Sequence, residues 1–162
     1  MSSNEIYLDE AIDVIEEVLT SGGEFKMYPR GISMLPLIKQ GVDAVVLAKS
    51  TEASLQKHDI AFYKRDNGQF VLHRVMSLEN DGTYTMCGDN QLSLERGIRE
   101  DQIIAKVTKL YKKEKLLRFD GIRYKFYLAT WCSMRIRRFL RLPKRAVDKI
   151  KRIFSKRKKS VD

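Results

Sequence analysis

Three short segments hold side chains whose types and spacing suit acyl transfer. The first, Gly31-Ile32-Ser33-Met34-Leu35-Pro36, sets a serine behind a strand-forming run and a glycine. A nucleophilic serine needs an exposed Oγ and nearby backbone N–H groups for the oxyanion, and a strand-to-turn junction beside glycine offers both. The same residues also suit a serine that caps a short helical turn. In Val71-Leu72-His73-Arg74-Val75 a histidine sits inside an apolar strand. Alternation puts Val71, His73 and Val75 on one face, so the imidazole must find a partner or stay neutral. A neutral imidazole is what a general base requires, although a core histidine bonded to the backbone fits equally. The third segment, Gly88-Asp89-Asn90, has Glu95-Arg96 close behind. Asp89 there is suited to accept the Nδ1 proton of His73 as the third member of a triad, or simply to close a turn. Cys87 precedes this segment without a basic neighbour to lower its pKa, so it reads as packing. Cys87 and Cys132 are expected as free thiols, and no zinc-like or other metal-ligand spacing and no cofactor motif is apparent.

The elements that must position these residues follow from periodicity. Ala11, Ile12, Val14, Ile15, Val18 and Leu19 recur at helical spacing over Asp9 to Thr20, and Gly22-Gly23 supply the stop. Short β-rich runs follow at Phe25 to Tyr28, Ala44 to Leu47, Ile60 to Tyr63, Phe70 to Met76, Tyr84 to Cys87 and Ile103 to Tyr111. Asp66-Asn67-Gly68 and Asn80-Asp81-Gly82 are hairpin signals, because Asn and Gly tolerate the positive φ of tight turns. The expected fold is therefore mainly β, an antiparallel meander behind an N-terminal amphipathic helix.

Together, in this order and spacing, the three segments resemble the signal peptidase I and LexA-type serine peptidase superfamily over roughly Phe25 to Leu110. Asp59-Ile60-Ala61-Phe62-Tyr63 is similar to the family's Gly-Asp-Ile strand start, and Gly41-Val42-Asp43-Ala44-Val45-Val46 to its Gly-Asp-x-Val strand. The resemblance implies a coiled β catalytic core, Ser33 as nucleophile and His73 at the position that is lysine in the usual bacterial enzymes. That histidine makes the chain look like the archaeal, endoplasmic-reticulum and sporulation-type branch. Asp89 then matches the branch's acidic box and Glu95 a second acid. Gly31, Ser33 and Met34 would line the oxyanion and substrate site. The implied substrate is a peptide or precursor protein, cleaved after small residues. Two departures stand out: His58 replaces the glycine before Asp59, and Gly31 has no hydroxyl to offer an oxyanion. With an ordinary histidine as base, activity would rise through roughly pH 6 to 7.

Charge divides the chain. Residues 1–100 hold 10 Lys/Arg against 16 Asp/Glu and residues 101–162 hold 21 against 5, net −6 and +16 within the total of +10. The expected boundary is Asp120-Gly121, with a peptidase-like domain over 1–120 and a basic, aromatic-containing helical tail over 121–162. From Gly121 to Lys159 there are 15 Lys/Arg and one acid, Asp148. Tyr127, Trp131, Phe139, Ile150 and Phe154 among these cations give the pattern of helices lying on an anionic membrane surface. The longest uncharged run in the tail, Phe126 to Met134, has nine residues, too few to span a bilayer, and Met1 to Glu5 is not expected to act as a secretory signal. A position on the cytoplasmic side, peripheral to the membrane, is expected. The same cations would suit nucleic acid, so a LexA-like self-cleaving or nucleic-acid-binding regulator stays open, as does a non-catalytic membrane-associated scaffold.

Overall fold

The computed structural model describes residues 8–50 and 55–140. Helix α1 (Leu8–Thr20) buries Ile12, Ile15 and Leu19 along one stripe and leaves Val14 in solvent. It stops where the Gly22 and Gly23 N–H groups bond back to Leu19 and Val18 carbonyls.

Eight strands form one antiparallel sheet: β1 (Phe25–Met27), β2 (Ala44–Ala48), β3 (Ile60–Lys64), β4 (Phe70–Leu78), β5 (Tyr84–Cys87), β6 (Glu95–Ile98), β7 (Ile103–Lys112) and β8 (Lys115–Leu117). Their order is β1-β2-β7-β3-β4-β5-β6, with β8 on β7. The expected meander is present as β3 to β6. The return of β7 between β2 and β3 was not legible in the sequence, and it encloses two fully apolar runs, Ala44–Leu47 and Ile60–Tyr63, on both edges. Both turn signals join neighbouring strands, β3 to β4 and β4 to β5. The core beneath the sheet gathers Leu55, Ala61, Tyr63, Val75, Tyr84, Met86 and Ile98.

Register matters most at β4. Strand β3 pairs with Phe70 to Arg74, whereas β5 pairs only with Arg74 to Leu78 before the chain leaves at Gly88. Phe70 to His73 therefore keep one backbone edge without a partner strand. Two helices follow the sheet, α2 (Ile122–Thr130) and α3 (Met134–Leu140).

The chain divides into two compact units after Lys125, inside α2. The cause is Tyr124, which is buried and receives a 2.9 Å hydrogen bond from Arg74 of β4, so the first turn of α2 belongs to the sheet unit. Of the tail residues expected at a membrane, Ile150 and Phe154 lie outside the described residues. Tyr127 and Trp131 are half-buried, and Phe139 is exposed.

Candidate active site

Ser33 sits in a tight loop that the sequence anchors at both ends. Gly31 adopts φ +94°, a conformation glycine takes without strain, and its N–H donates to Gln40 Oε1 at 2.7 Å. That N–H is therefore already engaged, which removes Gly31 as an oxyanion donor. Beyond Ser33, Met34, Leu37 and Ile38 are buried, and the Leu35–Pro36 peptide is cis. The buried Asp43 carboxylate then collects the Lys39 N–H at 2.8 Å, the Lys113 N–H at 3.2 Å and Lys112 Nζ at 2.7 Å, while Lys112 also reaches the Leu37 carbonyl. Burial pulls the Asp43 carboxyl up, but these donors outweigh it and hold its pKa below the ordinary value. Asp43 is thus the clamp of the Ser33 loop, a role that its place in the Gly-Val-Asp-Ala-Val run did not disclose.

The Gly88-Asp89-Asn90 segment docks on this loop through its backbone. The Asn90 N–H donates to the Ser33 carbonyl at 2.7 Å, and Asn90 Nδ2 to the Ile32 carbonyl at 3.1 Å. Gly88 is required by the approach itself, since a Cβ there would lie 2.7 Å from the Ser33 carbonyl oxygen.

Asp89 does not take the Nδ1 proton of His73. Its carboxylate is gripped at both oxygens by Arg74, Nε to Oδ1 at 2.7 Å and Nη2 to Oδ2 at 2.6 Å, and both side chains are fully buried. The reason is strand alternation: Arg74 follows His73 in β4 and points to the other face, carrying Asp89 with it. A buried guanidinium cannot shed its proton, so a carboxylate must neutralise it. Arg74 Nη1 is completed by the His58 carbonyl at 2.8 Å and by Tyr124. His58 itself adopts φ +79°, the conformation the expected glycine would favour.

His73 is 2% exposed, and its Nδ1 lies 3.2 Å from the Tyr63 hydroxyl. In the β3–β4 register Ala61 faces His73 and Tyr63 faces Val71, so Tyr63 and His73 are diagonal neighbours on the core face. Behind Tyr63 stands the second acid, Glu95, with Oε2 2.9 Å from the Tyr63 hydroxyl and 3.7 Å from Nδ1. Arg65 holds Glu95 bidentately, Nε to Oε1 at 2.7 Å and Nη2 to Oε2 at 2.6 Å. Burial pushes the His73 pKa down to about 4; the charges of Glu95 and Asp89 oppose this and that of Arg65 adds to it. The 3.7 Å approach to Glu95 would be an ion pair only with a protonated ring, and burial keeps the ring neutral. For Glu95, burial pulls upward but the hydrogen bonds from Arg65 and Tyr63 prevail, so the carboxyl sits below its ordinary value.

Ser33 and His73 line the same cleft, of about 980 Å³, together with Met34, Gln91 and the unpaired edge of β4. Asp89, Glu95 and Cys87 are not part of its wall. The Cys87 thiol is instead buried against the carbonyls of Gly88, Gln91 and Ser93. Among the described residues neither the Ser33 hydroxyl nor His73 Nε2 takes part in a hydrogen bond, and the N–H groups of Ser33 and Met34 are likewise unspent. Sequence reasoning missed Tyr63, Arg65, Arg74 and Asn90. The hairpin register around Asp66-Asn67-Gly68 carried a signal for Tyr63, whereas the Arg65–Glu95 pair spans 30 residues and left none. No family model, curated protein or solved structure matches this chain.

Proposed function

We propose that this chain is a serine endopeptidase of the signal peptidase I and LexA type, with Ser33 as nucleophile and His73 as general base. The observation that carries this reading is the shared cleft, in which a serine on a clamped loop and a buried neutral histidine both keep their reactive atoms free of hydrogen bonds. His73 Nε2 takes the Ser33 proton as Oγ attacks the scissile carbonyl, and returns it to the leaving amine. The oxyanion falls to the backbone N–H groups of Ser33 and Met34. Water, activated by the same imidazole, then releases the acyl group. The unpaired edge of Phe70 to His73 suits an extended peptide, which would add to β4 by main-chain hydrogen bonds.

Labelling with a serine-reactive fluorophosphonate tests the reading. Ser33 should be modified in the parent chain and unmodified in His73→Ala; no labelling of the folded parent would return the chain to the non-catalytic scaffold.

A membrane surface is the partner we propose for the C-terminal helices. Among the described residues no helix is long and apolar enough to cross a membrane. Helix α2, however, leaves Ile122 and Phe126 exposed on successive turns, beside the exposed cations Arg123 and Lys125. Paired apolar and cationic exposure is what an interfacial helix presents to anionic lipid.

A further inference from the structure

Tyr63 has one phenolic hydrogen and two neighbours within reach, Glu95 Oε2 at 2.9 Å and His73 Nδ1 at 3.2 Å. Glu95 is held as a carboxylate by the Arg65 fork and can only accept. The phenolic hydrogen therefore goes to Glu95, which leaves a phenolic lone pair facing Nδ1. A bare Nδ1 would set two lone pairs against each other at 3.2 Å in a buried site, so Nδ1 must carry the ring's one proton.

We infer that Tyr63 is a positioning residue that fixes His73 in its Nδ1–H tautomer and relays the charge of Glu95 to the ring. This rests on the peptidase reading for its use in catalysis, but the tautomer itself follows from the hydrogen bonds alone. The relay runs Arg65, Glu95, Tyr63, His73, and it occupies the place where a triad sets a carboxylate directly on the imidazole. Its proton accounting closes. The Ser33 proton moves to Nε2 and then to the leaving nitrogen, while Nδ1 keeps its own proton and Tyr63 and Glu95 neither gain nor lose one. As the ring becomes cationic, the Nδ1–H to Tyr63 bond and the Tyr63 to Glu95 bond both strengthen, which stabilises the imidazolium together with the Glu95 charge 3.7 Å from Nδ1. The other orientation, with Tyr63 donating to Nδ1, would place the proton on Nε2 and leave His73 unable to act as a base toward Ser33. Arg65 excludes it by keeping Glu95 ionised.

The chain has two histidines, so long-range nitrogen–proton NMR correlations of its imidazoles are readily assigned with a His58→Gln variant. His73 should show the Nδ1–H pattern in the full-length chain at neutral pH. Tyr63→Phe keeps the buried ring but removes the oxygen, and should shift the tautomer toward Nε2–H and slow fluorophosphonate labelling of Ser33 at least ~10-fold, as loss of an orienting outer partner does. An Nε2–H ring in the parent chain overturns the inference, whatever the activity and whether or not the variant folds. An unchanged tautomer and labelling rate in Tyr63→Phe also overturn it. If Ser33 is never labelled but the parent ring is Nδ1–H and responds to Tyr63→Phe, the tautomer assignment stands and the peptidase reading fails.

Discussion

At the scale of single residues, burial decides how His73 behaves. With its pKa near 4, the ring stays a base well below the range of an exposed histidine. The acid limb of Ser33 labelling should therefore fall close to pH 4, not between pH 6 and 7, and a limb near pH 6.5 would show that the ring is hydrated. The charges that act on it, Glu95, Arg65 and Asp89, are already included in that displacement. Stability should respond in the same direction. The unfolded chain binds this proton more tightly, so the contribution of His73 is complete above about pH 6.5 and is lost as pH falls toward 4, on the order of 3 kcal/mol. Denaturant midpoints across that window measure it, and His73→Gln should flatten the slope. Asp89 acts through stability as well. Asp89→Ala strands the buried Arg74 and should cost about 3–5 kcal/mol, without altering the His73 tautomer. A change of tautomer in that variant would restore Asp89 to the triad role the sequence suggests.

At the scale of elements, the site depends on where β5 ends. Gly88 turns the chain from β5 across the Ser33 loop, and Asn90 fastens it there. Gly88→Ala should push the Ser33 carbonyl away and slow labelling more than Asn90→Ala, which removes one side-chain hydrogen bond and keeps the backbone one. Equal rates in both variants and the parent would mean that the loop is held by Asp43 alone. Helix α1, six strands and both hairpins were legible in the sequence, because apolar periodicity and Asn-Gly chemistry are local signals. Strand β6 was not. Glu95-Arg96-Gly97-Ile98 is charged and broken by glycine, and it becomes a strand only because β5 offers an edge, with Met86 opposite Glu95. That pairing also brings Glu95, the second acid of the sequence reading, to Tyr63, so its route to the histidine was hidden by the same long-range contact. Ser33 and His73 were legible because each sits in a distinctive local setting. The partner of His73 was not, since Arg74 and Asp89 satisfy each other on the opposite face of β4.

At the scale of the whole molecule, Ser33 and His73 belong to the part of the chain with net charge −6, and most of the cations belong to the other. Cutting the chain at Asp120 would not separate these two properties, because it would take Tyr124 away from the buried Arg74. Substitution on the exposed face of α2 does separate them. Burying Ile122 and Phe126 in the acyl boundary is worth roughly 1.5–3 kcal/mol for each side chain, and each basic residue near anionic lipid adds about 1 kcal/mol. The full-length chain should therefore co-sediment with vesicles containing phosphatidylserine, bind phosphatidylcholine vesicles weakly, and release from the former as salt rises. Ile122→Ser with Phe126→Ser should weaken binding by at least ~10²-fold while leaving fluorophosphonate labelling of Ser33 unchanged, since neither residue lines the cleft. Nucleic acid makes a different demand. Phosphates need the cations and not the apolar pair, so oligonucleotide binding would fall steeply with salt and survive the double substitution. If the chain ignores anionic vesicles yet binds oligonucleotide in that way, the apolar face of α2 has another partner and the basic segment is a nucleic-acid arm.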